Sequence, residues 1–121
     1  MYRITKQFEF SASHSLDYLP PEHKCHPLHG HNYIVEVVLE SPGLDENGFV
    51  RDYGELGALK DFIDGKLDHR HLNDVVPGPT TAENIARFLY DFASGLWPEV
   101  AAVRISETPK TWAEYRPEGH R

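Results

Sequence analysis

The chain has 121 residues, of which 40% are hydrophobic and 26% are charged, and its formal net charge at pH 7 is -7. This length fits one domain around one hydrophobic core, and we expect residues 1–121 to form it. Nineteen acidic residues against twelve basic ones argue against nucleic acid or an anionic membrane as a partner, because both require a basic surface.

The N-terminal residues alternate polar and apolar side chains, and no stretch approaches the roughly 18 apolar residues of a membrane span. We therefore expect a soluble, cytoplasmic protein. Cys25 is the single cysteine, so it has no internal disulfide partner, which fits a reducing compartment.

A first strand and a loop are predicted at the start of the chain. Residues 3–14 alternate with a period of two, which places four residues on one face: Phe8, Phe10, Ala12 and His14. Three prolines mark residues 15–28 as a loop, and Cys25 lies within it.

A second strand is predicted from residue 29 to about residue 40, and its first face carries His29 and His31 together with Tyr33, Val35, Val37 and Leu39. The opposite face also carries apolar residues, Ile34 and Val38. We therefore expect other subunits to cover that second face.

Two helices follow, each opened by a capping-box pattern. Asp52-Tyr-Gly-Glu55 opens the first, whose inward residues would be Leu56, Leu59, Ile63 and Leu67. Thr80-Thr-Ala-Glu83 opens the second, whose inward residues would be Ile85, Leu89, Phe92 and Leu96. Two short strands, over residues 103–107 and 111–115, complete a ββααββ order. This order predicts an α+β fold with the helices on one face of an antiparallel sheet.

Three histidines form a candidate metal site. His29 and His31 lie on one face of a strand, with backbones about 6.6 to 7 Å apart, and His14 ends the matching face of the neighbouring strand. Three neutral imidazoles with an open fourth position form the geometry of a catalytic zinc site. Ordinary buried histidines are a less favoured interpretation, because burying them without partners is costly. A closed structural site with Cys25 as fourth ligand is a second alternative.

Asp68 and His69 form a candidate acid–base pair. An aspartate that accepts a hydrogen bond from His69 would fix the tautomer of the ring and raise its basicity, which a thiol partner needs. The alternative is a solvated helix end, where the helix dipole favours histidines.

Glu107 and Thr81 are candidate ligand-binding residues. Glu107 ends the inner face of a predicted strand, where a carboxylate is costly unless something donates to it. A ligand with adjacent N–H and amino groups would bind it bidentately, and a cross-strand cation, Arg116 or Lys110, is the alternative. For Thr81, helix capping alone would account for the residue.

Five segments, taken in chain order, carry a family resemblance: Phe8-Glu-Phe-Ser-Ala-Ser-His14, Cys25-His-Pro-Leu-His29-Gly-His31-Asn-Tyr33, Leu67-Asp68-His69 with Leu72-Asn-Asp74, the helix start Thr81 to Asn84, and Ser106-Glu107-Thr108. Together they resemble the 6-pyruvoyltetrahydropterin synthase family over nearly the whole chain, and in particular its 6-carboxy-5,6,7,8-tetrahydropterin synthase branch. That branch has three residues between the cysteine and the His-Gly-His element, as here, whereas members making the pyruvoyl product usually have five.

The resemblance implies a tunnelling fold, in which protomers join edge to edge into rings that stack in pairs, giving a hexamer. It also implies zinc on His14, His29 and His31, a catalytic thiol at Cys25, an Asp68–His69 dyad from a different subunit, and substrate contacts by Glu107 and Thr81. The active site would then lie at a subunit interface.

The implied activity is that of a zinc-dependent lyase. It would convert 7,8-dihydroneopterin triphosphate to 6-carboxy-5,6,7,8-tetrahydropterin, releasing acetaldehyde and triphosphate, on the route to 7-deazaguanine compounds such as queuosine. The alternatives are a 6-pyruvoyltetrahydropterin synthase and a non-catalytic module that binds zinc or a pterin.

Overall fold

A computed structural model describes residues 1–119. Its elements are strand β1 (Tyr2–His14), strand β2 (His29–Ser41), a 3-10 helix (Tyr53–Leu56) that leads into helix α1 (Gly57–Lys66), a second 3-10 helix (Leu72–Asp74), helix α2 (Ala82–Leu96), strand β3 (Val100–Thr108) and strand β4 (Thr111–Tyr115). The predicted order of strands and helices, and with it the α+β fold class, is confirmed. None of the helices in this described range is long and apolar enough to span a membrane.

The four strands form one antiparallel sheet in the order β1-β2-β3-β4. The register of β1 and β2 places Phe10 opposite Tyr33 and His14 opposite His29. The rings of Phe10 and Tyr33 stack with centroids 4.7 Å apart. The long hairpin therefore brings the predicted histidines to one end of one sheet face.

The core lies between this inner sheet face and the two helices. The four apolar residues predicted to be buried around α1 are fully buried: Leu56, Leu59, Ile63 and Leu67. Helix α2 differs from the prediction, because its buried residues are Ile85, Ala86, Leu89 and Ala93.

Two of the inward positions predicted for α2 need correction. Leu96 is 46% exposed, because the chain becomes extended at the next residue, Trp97, which takes the core position and is 6% exposed. Phe92 is partly buried, and its ring stacks on Phe62 of α1 rather than on the sheet. Ala86 and Ala93 occupy the two other buried positions of α2.

The helix starts also differ in detail from the capping-box patterns. Asp52 accepts a hydrogen bond from the Gly54 amide at 2.9 Å and caps the first 3-10 helix rather than α1. The N-cap of α2 is Thr81, whose hydroxyl accepts from the Asn84 amide at 3.3 Å. The prediction that Thr80 opens the box was therefore wrong by one residue, because Thr80 is buried against His14 instead.

The outer sheet face is covered mostly by polar side chains. Gln7, Glu36 and Arg104 form a hydrogen-bonded row across three strands. Of the two apolar residues predicted on this face, Val38 is already buried within the single chain and Ile34 is partly buried. The covering of this face by other subunits stays a prediction.

Candidate metal centre and its surroundings

The hairpin of β1 and β2 builds a three-histidine cluster. One ring nitrogen from each of His14, His29 and His31 lies within 4.8 Å of the other two. Gly30 lies between two of them and pairs with Ser13 of β1. The pairing register therefore places the three imidazoles around one point.

Backbone carbonyls fix the tautomers of two of these rings. His14 Nδ1 lies 2.7 Å from the Thr80 carbonyl oxygen, and His29 Nδ1 lies 2.7 Å from the Pro27 carbonyl oxygen. A carbonyl oxygen only accepts, so each Nδ1 carries the proton and each Nε2 keeps its lone pair.

The two Nε2 atoms of His14 and His29 face each other at 2.9 Å. Two lone pairs at this distance repel unless a cation lies between them. Metal-bound histidines commonly donate their second ring nitrogen to a backbone carbonyl, as both rings do here. The donor set therefore fits a metal ion bound by imidazole, and zinc suits such ligands.

The electrostatics of the cluster favour the neutral ligand form. Burial lowers the pKa of His14 and of His31 below the ordinary histidine value. Both rings are therefore uncharged at neutral pH, which is the form that binds a metal ion.

Cys25 lies outside the cluster. Within residues 1–119, the group of ligand atoms close enough to share one ion contains the three histidines and no thiol. Cys25 is half-buried in the loop, where its amide donates to His23 Nδ1 at 3.0 Å and its carbonyl oxygen accepts from the Leu16 amide. This arrangement favours the open three-histidine site over the closed four-ligand alternative.

Asp68 and His69 form the predicted pair beside the edge of β1, to which the backbone of residues 69–71 is hydrogen-bonded. Asp68 Oδ2 lies 3.0 Å from His69 Nδ1, and Asp68 Oδ1 accepts from the Ser11 amide at 2.9 Å. Hydrogen bonds lower the pKa of Asp68, that of the Ser11 amide first, so the carboxylate stays charged. An anionic Asp68 holds the proton on Nδ1 and leaves His69 Nε2 as the basic atom.

The backbone of His69 adopts a left-handed conformation, with φ of 59°. Such a conformation is uncommon for a residue with a side chain and is often found at functional sites. The His69 amide holds it in place by donating to the Ser11 carbonyl oxygen at 2.6 Å. The ring is 82% exposed, so a large part of the base is open to whatever binds at this edge.

His69 and His31 line one open cleft of about 440 Å³ on the edge of β1, and Cys25 does not line it. Gly30 lies in the floor of this cleft. The structure therefore brings the dyad near one of the three histidines, while the thiol and the dyad of one chain do not share this cleft.

Glu107 ends the inner face of β3 beside the histidine cluster. Its Oε2 atom lies 3.9 Å from His31 Nε2, and it is buried without a hydrogen-bond partner. Arg116, the cross-strand cation considered for it, pairs with Glu40 and Glu114 instead. Glu107 also lines a cavity of about 470 Å³ together with His31.

Two further residues of the site were missed by the sequence analysis. The Thr80 carbonyl oxygen orients His14, and a backbone acceptor 66 residues away leaves no signal in side-chain patterns. Tyr33 is fully buried, its ring lies edge-on to His14 and His31, and its hydroxyl has no partner. Burial and then the charge of Glu107 raise the pKa of Tyr33, so the phenol keeps its proton. The alternating pattern of β2 predicted Tyr33 only as a core residue.

Known proteins resemble this chain in sequence over most of its length. A sequence model of the 6-pyruvoyl tetrahydropterin synthase family matches residues 3–118. A 6-carboxy-5,6,7,8-tetrahydropterin synthase of Aquifex aeolicus is 32% identical over 97% of this chain and 99% of that protein. A 6-pyruvoyl tetrahydrobiopterin synthase of Dictyostelium discoideum is 34% identical over 95% of this chain and 96% of that protein. A dihydroneopterin monophosphate aldolase of Pyrococcus furiosus is 37% identical over 72% of this chain and 70% of that protein.

A solved structure agrees with these sequence matches. The 6-pyruvoyl tetrahydropterin synthase of Caenorhabditis elegans superimposes with a TM-score of 0.84 and 26% identity, covering 97% of this chain and 96% of that one. Because the family match covers almost all of the chain and the fold agrees with it, the chain belongs to the 6-pyruvoyl tetrahydropterin synthase family.

Proposed function

We propose that this protein is a zinc-dependent lyase that converts 7,8-dihydroneopterin triphosphate to 6-carboxy-5,6,7,8-tetrahydropterin and releases acetaldehyde and triphosphate. Its product would enter 7-deazaguanine and queuosine biosynthesis. The observation that carries the proposal is the pair of facing Nε2 lone pairs of His14 and His29, within a chain of this family. This donor pair supports a cation site, and His31, the third ring of the cluster, lines the cavity beside Glu107.

His14, His29 and His31 would hold the zinc ion, with the fourth position open. When bound, zinc supplies Lewis acidity that polarises oxygen groups on the substrate and makes neighbouring C–H bonds more acidic. The chain itself supplies binding, orientation and proton transfer.

Glu107 recognises the pterin ring in this proposal. Glu107 lines the cavity beside His31 and its Oε2 atom lacks a protein donor, so adjacent N–H groups of the ring would complete the hydrogen bonds of the carboxylate. Thr81 is the second substrate-binding candidate, although its hydroxyl already caps α2.

Cys25 and His69 move the protons. Asp68 keeps the proton on His69 Nδ1, which leaves Nε2 free to take a proton from the substrate or the thiol. Since Cys25 does not line the cleft of its own dyad, we expect one subunit to supply the thiol and another the dyad. The active unit would be a homo-oligomer of stacked rings, a hexamer, with the site at a subunit interface.

The three-residue spacing between Cys25 and His29 favours the carboxy product over the pyruvoyl product. The relatives compared above carry three activity names, two synthases and an aldolase, so the experiment has to separate the products. The purified, zinc-loaded protein is incubated with 7,8-dihydroneopterin triphosphate, and pterins and aldehydes are identified by mass spectrometry.

We expect 6-carboxy-5,6,7,8-tetrahydropterin and acetaldehyde in equal amounts. Formation of a 6-pyruvoyl product would assign the chain to the pyruvoyl-forming branch and would leave its assignment to the family unchanged. Binding of the substrate without any turnover, at full zinc loading, would identify the non-catalytic module instead.

A further inference from the structure

Two buried side-chain atoms in residues 1–119 lack a hydrogen-bond partner, Tyr33 Oη and Glu107 Oε2. Buried polar atoms in folded proteins almost always have a partner, and an exception calls for a physical reason. One of these atoms belongs to a donor and the other to an acceptor. The two atoms could therefore satisfy each other by forming one hydrogen bond.

The two residues lie at the end of the paired stretch of β2 and β3. The pairing ends with Ile34 opposite Ser106, and Tyr33 and Glu107 are the next residues of the two strands. Both residues also lie against His31, because Glu107 Oε2 is 3.9 Å from His31 Nε2 and the ring centroids of Tyr33 and His31 are 5.5 Å apart.

The two side chains differ in their freedom to move. Tyr33 is 0% exposed, and its ring is held by stacking on Phe10 and by the edges of two histidine rings. The Glu107 side chain is 29% exposed and borders the cavity. The Glu107 carboxylate is therefore free to reorient, whereas the Tyr33 hydroxyl is held in place.

We propose that Tyr33 is a positioning residue for Glu107, with its O–H group donating a hydrogen bond to Glu107 Oε2 when a ligand draws the carboxylate inward. Oε1 then faces the cavity and accepts from the adjacent N–H groups of a flat heterocycle. Tyr33 acts through Glu107 and does not touch the ligand, which agrees with its absence from the cavity wall. This inference rests on the proposed function, because the pterin ring is the ligand that engages Glu107.

The test is a double-mutant cycle on ligand binding in the zinc-loaded protein. Tyr33→Phe keeps the stacked ring and removes only the hydroxyl. Binding of 7,8-dihydroneopterin is measured by tryptophan fluorescence for the unmodified protein, Tyr33→Phe, Glu107→Ala and the double variant. Tyr90→Phe, which removes the hydroxyl of a partly buried tyrosine on α2, is the matched control.

We expect Tyr33→Phe to raise the Kd about tenfold, as loss of a hydrogen bond to a charged group does. It should raise the Kd less than twofold in the Glu107→Ala background, because the hydroxyl then has nothing to position. Zinc content should stay at one ion per chain in all variants, and Tyr90→Phe should bind like the unmodified protein.

An unchanged Kd in Tyr33→Phe, or the same tenfold loss with and without Glu107, would overturn the positioning role and leave the lyase proposal standing. Loss of zinc from Tyr33→Phe would assign the tyrosine to the histidine cluster and also overturn it. An unmodified, zinc-loaded protein that fails to bind 7,8-dihydroneopterin would overturn the proposed function, and this inference with it.

Discussion

At the scale of single residues, the site depends on which ring nitrogen of each histidine carries the proton. The carbonyl oxygens of Thr80 and Pro27 hold the Nδ1 protons of His14 and His29, so both Nε2 lone pairs point to one place. The third ring, His31, completes the set. Removing any of these rings should affect the ion before it affects the fold.

His31→Ala should lose zinc and activity while a folded protein persists. His31 is partly exposed at the end of β2, so its removal costs little core packing, whereas two remaining imidazoles bind zinc weakly. Zinc content by atomic absorption and the circular dichroism spectrum measure the two effects. His71→Ala, outside the cluster, is the control, and full zinc loading of His31→Ala would show the three-histidine assignment to be wrong.

Cys25→Ala should abolish turnover, keep zinc at full stoichiometry and leave pterin binding largely intact. The thiol is not among the ligand atoms that are close enough to share one ion, so its loss would remove the proposed proton carrier and no metal ligand. Zinc analysis, product formation and ligand titration of one preparation test all three. Simultaneous loss of zinc and of the folded state would identify a structural site, and full turnover would remove Cys25 from the mechanism.

The zinc-free protein should lose stability as the pH falls below about 6.5. Burial lowers the pKa of His14 from its ordinary value of 6.5, so below that pH the unfolded chain binds the proton and the folded protein resists it. The contribution of neutral His14 to the free energy of unfolding is therefore complete above the pKa of the unfolded chain. It decreases as the pH falls towards the lower pKa that His14 has in the folded protein. Urea unfolding across this range should give a shallower pH dependence for His14→Gln, and an equal dependence would contradict the assignment.

At the scale of elements, strand alternation predicted more than helix periodicity did. The period of two placed His14, His29 and His31 on the inner face, because alternation along a strand fixes the face of every residue once one is known. The buried face of α2 was harder to predict from the sequence. Its two buried alanines gave no indication of a buried position, whereas the apolar Leu96 indicated one that it does not occupy.

The site was predictable where it consists of side chains on regular strands. The Asp68–His69 pair was predicted as neighbours in sequence, but its attachment to the Ser11 backbone depends on a tertiary contact across 57 residues. The orientation of His14 depends on the Thr80 carbonyl oxygen in the same way. Contacts to backbone atoms of distant segments leave no pattern in the sequence.

Thr81→Ala should lower the free energy of unfolding by about 0.5 to 2 kcal/mol, which is the usual cost of losing an N-cap hydroxyl. The hydroxyl accepts from the Asn84 amide at 3.3 Å, so the loss should be largely recovered in Thr81→Ser. Urea unfolding measures the stability, and substrate titration of the same variants measures any additional role. A rise in KM for Thr81→Ala, absent from Thr81→Ser, would support a substrate contact beyond capping.

At the scale of the whole molecule, the proposal that each active site takes Cys25 from one subunit and the Asp68–His69 pair from another can be tested directly. Cys25→Ala and His69→Ala should each be inactive alone. Subunits of the two variants, unfolded together and refolded, should regain activity at about a quarter of the sites, because random mixing pairs an intact thiol with an intact dyad at that frequency. Activity of the mixture that does not exceed the sum of the separate variants would place both groups of each site in one chain.

The Thr80 carbonyl that orients His14 also limits how this chain can change in length during evolution. Thr80 lies directly before the cap of α2, at the end of the connection from α1, so the length of residues 67–80 sets where its oxygen lies. Loops normally accept insertions at a small entropic cost. An added residue here would rotate or withdraw the acceptor of His14 and disturb the histidine cluster, so the geometry of that cluster, rather than stability, should keep this connection constant in length.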